Sequence, residues 1–209
     1  VENLDVAKMR IKKSKYAKSV SFLNQAISAR NGLIAFFYNP ENSNLSNIRE
    51  PGGNFFKRSV KSVTLKELII LNKIDYDAHL VVKMDIEGEE AKVLLSSVEI
   101  LKKFKTVSIL MEVHPGKYEG DEMYNAFQSL FDIGFKVSLV ETAWVRAPQK
   151  IKENFGYPYK SFFHKGLYRD LPNDFTAEIA SAQVMNVALF KPFFTKKIVR
   201  SLLLEKANN

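Results

Sequence analysis

Two short apolar runs, His79-Leu80-Val81-Val82 and Val107-Ser108-Ile109-Leu110-Met111, bracket a stretch that places Ala91, Leu94, Leu95, Val98 and Leu101 on one helical face. Strand, helix and strand with short links make a βαβ unit, whose two strands run parallel and are expected to be neighbours. Parallel neighbours bring their carboxyl ends to the same edge of the sheet. Each run leads into a polar cluster: Lys83-Met84-Asp85-Ile86-Glu87-Gly88 after the first, and Glu112-Val113-His114-Pro115 after the second. Asp85, Glu87, Glu112 and His114 should therefore converge where open α/β sheets bind their ligands. Three carboxylates and an imidazole in one crevice are costly to desolvate unless a cation or a reaction needs them.

The flanking sequence extends this pattern. Asp5 to Lys18 reads as a helix, and Ser19 to Ile27 as a strand followed by a loop. Asn31-Gly32 is a hairpin-type turn signal between Gln25-Ala26-Ile27-Ser28 and the apolar run Leu33 to Tyr38. Asn39 to Lys57, centred on Pro51-Gly52-Gly53, reads as a mobile connection. Val60 to Val63 is a short strand. Thr64 can cap a helix through Leu71, with Glu67 three residues on. After the βαβ unit come a helix from Glu122 to Ile133, ended by Gly134, and a strand from Phe135 to Val140. Ala147 to Asp174 is an irregular aromatic excursion carrying Pro148, Pro158 and Pro172. Gln183 to Phe190 returns as a strand, and Phe194 to Lys206 reads as a basic amphipathic helix. The whole is an α/β layered sheet, mostly parallel, with the last two strands closing one edge as an antiparallel pair.

At 209 residues the length suits one domain rather than two. The division expected is a main domain over 1–192 and a basic tail over 193–209. With no cysteine, thiolate chemistry and disulfides are excluded, and no apolar run approaches the roughly 20 residues that span a bilayer. The chain opens on Val1, at what reads as the end of a strand. The net charge of +8 gathers at Lys8 to Lys18 and again at Lys191 to Lys206. Nucleic acid is not expected as a partner, because no aromatic residues interleave these runs for base stacking. Peripheral membrane contact is assigned to the basic tail, and the expected location is cytoplasmic.

Several side chains carry a functional reading beside a structural one. Asp85 would face the reacting centre as base or metal ligand. Glu87 would contact substrate or orient a neighbour, or else simply complement the positive end of the following helix. Glu112 and His114 share a face by the strand period of two. His114 is either a general base for a hydroxyl proton or a structural residue before a proline turn. Glu112 would hold its tautomer, or bind a divalent ion with Asp85. One imidazole among oxygens suits Mg²⁺ or Mn²⁺ better than Zn²⁺. Lys83 would pair with Glu87 or a sheet neighbour. Trp144, with Tyr157, Tyr159, Phe162 and Phe163, could stack on a sugar ring or pin a long loop.

The hexad Lys83-Met84-Asp85-Ile86-Glu87-Gly88 resembles the FkbM family of S-adenosylmethionine-dependent methyltransferases, whose pattern there is Lys, apolar, Asp, apolar, Glu, Gly. Asn24-Gln25-Ala26-Ile27-Ser28 with Gly32, Val63-Thr64-Leu65 and Glu112-Val113-His114-Pro115 resemble further landmarks of the family in the same order, over Val1 to about Pro192. The resemblance implies a Rossmann-like class I methyltransferase sheet and S-adenosylmethionine as cofactor. It implies O-methylation of a hydroxyl on a sugar, glycan or related small molecule, with Asp85, His114 and Glu112 in catalysis. Asn24 and Gln25 would reach the adenine, Glu2 the ribose hydroxyls, and Asp85 would also contact the cofactor, with Glu87 and Trp144 at the acceptor. The first strand and Gly-rich turn of that fold are not matched, so they are expected to be missing. Two alternatives belong to other classes. Asp-x-Glu at a strand end is also the metal-binding pair of nucleotide-sugar glycosyltransferases, and a non-catalytic binding domain could keep the sheet without the cofactor turn.

Overall fold

A computed structural model describes residues 2–39, 55–114, 117–142, 160–161, 175–178 and 199–207. Helix α1 (Glu2–Lys12) is followed by a 3₁₀ turn at Ala17–Ser19, and then by strands β1 (Ala26–Ile27), β2 (Gly32–Tyr38) and β3 (Phe56–Val63). Helix α2 (Leu65–Leu71), strand β4 (His79–Met84), helix α3 (Glu90–Leu101) and strand β5 (Thr106–Glu112) come next. Helix α4 (Glu122–Asp132) and strands β6 (Lys136–Thr142), β7 (Lys160–Ser161), β8 (Phe175–Glu178) and β9 (Val199–Ala207) complete the order.

The βαβ unit forms as its periodicity predicts. β4 and β5 pair in parallel from His79 opposite Thr106 to Met84 opposite Met111. Leu80 and Met84 of β4, Val107, Ile109 and Met111 of β5, and Leu202 and Leu204 of β9 are buried with α3 residues Ala91, Leu94 and Leu101 and α4 residues Ala126, Phe127 and Leu130. The alternate residues point away from this core: Val81 is 67% exposed and Leu110 46%. Thr64 caps α2 as its sequence implies, its hydroxyl accepting from the Glu67 N–H at 3.1 Å.

The larger sheet has the order β4-β5-β9-β6-β8-β7. Its mixed helices and strands agree with the expected α/β class. The expectation of mostly parallel pairing needs correction, because among the described strands of this sheet only β4 and β5 pair in parallel and its other four neighbour pairs are antiparallel. β4, β5 and β6 nevertheless share one direction, with β9 inserted between β5 and β6 in the opposite sense. β6 does take an antiparallel partner on each side, β9 and β8. The partner expected for it, Gln183 to Phe190, lies outside the described residues, as does nearly all of Ala147 to Asp174.

Three further expectations are overturned locally. The amphipathic helix expected over Phe194 to Lys206 is not found in its described part. Val199–Ala207 is a strand hydrogen-bonded on both sides, because the triple Leu202-Leu203-Leu204 can bury alternate residues in the sheet. The Asn31-Gly32 turn does not join a hairpin: β1 and β2 both pair with β3, in parallel and antiparallel respectively. The turn is tied to β3 instead, with Asn31 Oδ1 accepting from the Thr64 N–H at 2.8 Å and Ser62 Oγ donating to the Arg30 carbonyl at 2.8 Å. Glu2 opens α1 rather than ending a strand, and that helix stops at Lys12, short of Lys18. Ser14 Oγ there accepts the Tyr16 N–H, a local bond that competes with continuing the helix.

Lys206 shows how firmly β9 is docked. Its ammonium donates to the carbonyls of Leu101, Lys102 and Phe104 at 3.3, 2.9 and 2.7 Å, closing the carboxyl end of α3. Replacing Lys206 with methionine should cost about 2 kcal/mol, since carbonyls out of water lose a charged donor. Urea unfolding checks this, and a loss below about 0.5 kcal/mol would show that water replaces the ammonium.

Candidate functional site

Strand β4 ends at Met84, and the loop from Asp85 to Glu89 turns the chain into α3. Glu87 and Gly88 both have positive φ, 57° and 107°. That conformation is unfavourable for a glutamate, and it is held because Glu90 grips the loop from inside. The Glu90 carboxylate has no exposed surface. Its Oε1 accepts from the Ile86 N–H at 3.1 Å and its Oε2 from the Gly88 N–H at 2.9 Å. The Asp85–Ile86 and Glu87–Gly88 peptide units are thereby fixed on one carboxylate.

The same carboxylate reaches across to the end of β5. Glu90 Oε1 lies 3.0 Å from His114 Nδ1, and Tyr118 Oη donates to Oε2 at 3.2 Å. The His114 N–H in turn donates to Tyr118 Oη at 2.8 Å. An ionised carboxylate can only accept, so Nδ1 of His114 carries the proton and a neutral ring presents its Nε2 lone pair outward. Nε2 faces Asp85 Oδ1 at 3.8 Å and Glu87 Oε2 at 3.7 Å.

Charge is nearly balanced at this edge. Lys117 forms an ion pair with Glu87, and Lys83 Nζ lies 3.7 Å from Asp85 Oδ2. The stem of Lys117 packs on Gly88, where a Cβ would come within 2.7 Å of Lys117 Cβ; only glycine admits that approach. Burial pushes the Glu90 carboxyl up, but the His114 hydrogen bond, backbone N–H groups and the imidazole's charge outweigh it and hold the group below its ordinary value. The hydrogen bond to Glu90 raises His114 above the ordinary imidazole value; burial opposes this, the Glu90 and Glu87 charges add to it, and Lys117 subtracts.

Of the residues singled out in the sequence, Asp85, Glu87 and His114 are brought together, with one ligand atom of each within 4.8 Å of the others. Glu112 is not with them. It lies opposite Ser201 of β9, and among the described residues its side chain makes no hydrogen bond or ion pair. The residue that orients His114 is Glu90, because the chain leaves the strand pleat after Glu112 and turns the imidazole toward the start of α3. Lys83 pairs with Asp85, not Glu87. His79, exposed at the start of β4, bonds Ser108 Oγ through Nε2 at 2.9 Å. Asn24 and Gln25 lie just before β1 and line a groove with Phe36 and Arg58. Trp144 falls outside the described residues, and Glu2 is described only as the first residue of α1.

A family model described as the methyltransferase FkbM domain matches residues 3–137. The chain belongs to the FkbM methyltransferase family. A search of curated proteins returns no match, and neither does a search of solved structures. The matched FkbM segment contains the whole constellation of Asp85, Glu87, Glu90, His114, Lys117 and Tyr118, together with Asn24 and Gln25. Glu90, Lys117 and Tyr118 were not singled out from the sequence. For Glu90 one signal was available: the loop's N–H groups need acceptors, and a carboxylate in the first turn of α3 can supply one.

Two carboxylates and an imidazole whose Nδ1 is tied to a further carboxylate also fit a divalent cation held by oxygen and nitrogen. The second-sphere bond from Glu90 would fix the ring for coordination through Nε2. Among the described residues no helix is long and apolar enough to cross a membrane.

Proposed function

We propose that this FkbM domain transfers a methyl group from S-adenosylmethionine to a hydroxyl oxygen of a sugar, glycan or related small molecule. The observation that carries this reading is the outward-facing Nε2 of His114, fixed by Glu90 beside two carboxylates at the carboxyl ends of two parallel strands. S-adenosylmethionine supplies a methyl group already activated on a cationic sulfonium. The chain has to align the hydroxyl and remove its proton, since a neutral alcohol is a poor nucleophile. His114 takes the proton on Nε2 and Glu90 stabilises the resulting imidazolium, while the new O–CH₃ bond forms and the sulfonium becomes a neutral thioether.

Asp85 and Glu87 favour the cationic donor over its neutral product and orient the acceptor hydroxyl. Asn24 and Gln25 would meet the adenine, Glu2 the ribose hydroxyls, and Trp144 a sugar face. A Rossmann-like cofactor sheet belongs to the same reading, supported by the shared direction of β4, β5 and β6 and the site at their ends. So does a location in the cytoplasm. A Mg²⁺ or Mn²⁺ ion, if used, would sit on Asp85, Glu87 and His114 and replace Lys117 at Glu87; it would occupy the Nε2 lone pair and so lower the acceptor hydroxyl's pKa in place of the His114 base.

The second reading, a metal-dependent nucleotide-sugar glycosyltransferase, is favoured by the same three-residue cluster and disfavoured by the family match. Calorimetric titration separates them. S-adenosylmethionine should bind and should be displaced by its demethylated product, whereas a UDP-sugar with Mn²⁺ should give no heat of binding. The reverse result would establish the alternative, and binding of neither to folded protein would leave a non-catalytic domain.

A further inference from the structure

No residue from Leu4 to Leu23 is buried. Within α1 the most shielded positions are Leu4, Ala7 and Ile11, which recur at i, i+3 and i+7 and so mark one side of the helix. At about 100° per residue Met9 falls opposite them, and it is 61% exposed. Lys8 and Lys12 flank Met9 on one side, and Val6, Arg10 and Lys13 flank it on the other. Lys13 continues the turn, its N–H donating to the Arg10 carbonyl. All six of these side chains are exposed.

From Val6 to Leu23 the chain carries Lys8, Arg10, Lys12, Lys13, Lys15 and Lys18 and no aspartate or glutamate. Asp5, on the same outer side of α1, is paired with Lys8 at 3.8 Å. Just past the helix Tyr16, Val20 and Leu23 are exposed as well. Five of the twelve large apolar side chains exposed among the described residues therefore fall in this one stretch.

A solvated charged face has no need of an apolar centre. An apolar side chain between two rows of cations is the arrangement of a helix lying flat on an anionic lipid surface. The cations are drawn to the headgroups, while their stems and Met9 reach the boundary with the acyl chains. A nucleic-acid backbone would match the charge but leave Val6 and Met9 without a partner. The carboxyl-terminal tail, to which its charge alone assigns membrane contact, offers no such face in its described part. There Val199–Ala207 is paired on both sides, and Lys206 is buried.

We propose that the outer side of α1, centred on Met9 and flanked by Lys8, Arg10, Lys12 and Lys13, docks this domain on an anionic phospholipid surface. The contact uses none of the residues of the His114 constellation and does not rest on the methyltransferase reading.

Sedimentation of the whole chain with vesicles tests this. Vesicles of phosphatidylcholine mixed with phosphatidylserine should carry the chain down at low ionic strength, and phosphatidylcholine alone should not. Lys12→Gln with Lys13→Gln should weaken binding about twentyfold, as expected for two cations at a charged surface. Met9→Ser should weaken it about fivefold through the lost apolar contact. Lys66→Gln with Lys102→Gln removes equal charge outside α1 and should change binding by less than about twofold. All five replaced side chains are exposed, so the variants should melt with the parent. Equal binding to both kinds of vesicle, equal weakening by the Lys66 and Lys102 pair, or no effect of Met9→Ser would overturn the proposal. Saturable binding of a mixed-sequence single-stranded RNA without vesicle binding would overturn it too, and would give this face to nucleic acid.

Discussion

Glu90→Leu should lower the free energy of unfolding by about 3–5 kcal/mol, the cost typical of removing one partner from a buried charged pair. The leucine would leave the Ile86 and Gly88 N–H groups, His114 Nδ1 and Tyr118 Oη without the acceptor that all four share. It would also remove the Ile86 and Gly88 bonds that help hold Glu87 at positive φ. Glu90→Gln keeps the shape and one acceptor oxygen, so it should cost distinctly less. Chemical denaturation of both variants measures the difference, and a leucine variant within about 1 kcal/mol of the parent would show that the carboxylate's desolvation cancels its bonds.

The same pair makes stability depend on pH in two directions. Glu90 is held below its ordinary 4.5, so its contribution is present above that pH and is lost as pH falls through the folded value. His114 is raised above 6.5, so its contribution is complete below 6.5 and is lost as pH rises through the folded value. The pair should therefore stabilise most between about pH 4.5 and 6.5. In Glu90→Gln the decline above pH 6.5 should flatten, because the raised imidazole loses its main cause.

His114→Asn should reduce methyl transfer by about 10²–10⁴-fold while leaving S-adenosylmethionine affinity within about threefold, the pattern of a lost general base rather than a lost binding contact. Transfer of labelled methyl to the acceptor, read beside calorimetric binding of the donor, separates the two quantities. In the parent the rate should rise with pH through the raised imidazole value, and in Glu90→Gln that rise should move to lower pH. A variant keeping more than about a tenth of the parent rate would remove His114 from the reaction and pass the role to Asp85.

How much of this was legible depended on the range of the interaction involved. The βαβ unit and the Thr64 cap are written in periodicities and spacings a few residues long, and both are found where the sequence puts them. Convergence of Asp85, Glu87 and His114 followed from the parallel pairing of β4 and β5 alone. Glu90 was hidden because a glutamate in the first turn of a helix usually faces solvent and complements the dipole; only the folded loop shows it buried. The pairing of Glu112 with His114 misled because β5 ends at Glu112, so the strand period of two does not carry on to His114. The segment before Ala207 misled for another reason. Phe194, Ile198, Leu202 and Leu203 recur at helical spacing, and a continuous apolar triplet fits either period. Distant neighbours decided it, β5 on one side and β6 on the other.

The place of β9 in the sheet has a kinetic consequence. Between β5 and β6 there is a slot that only the last strand in the order fills, so these two strands cannot meet their partner until Val199–Ala207 has left the ribosome. Until then the exposed edges of β5 and β6 are templates for another chain's strand. Contacts of such long sequence separation close late and slowly. During synthesis the nascent polypeptide should thus pass through a stage prone to aggregation, ended by the arrival of Leu202 and Leu204 in the core.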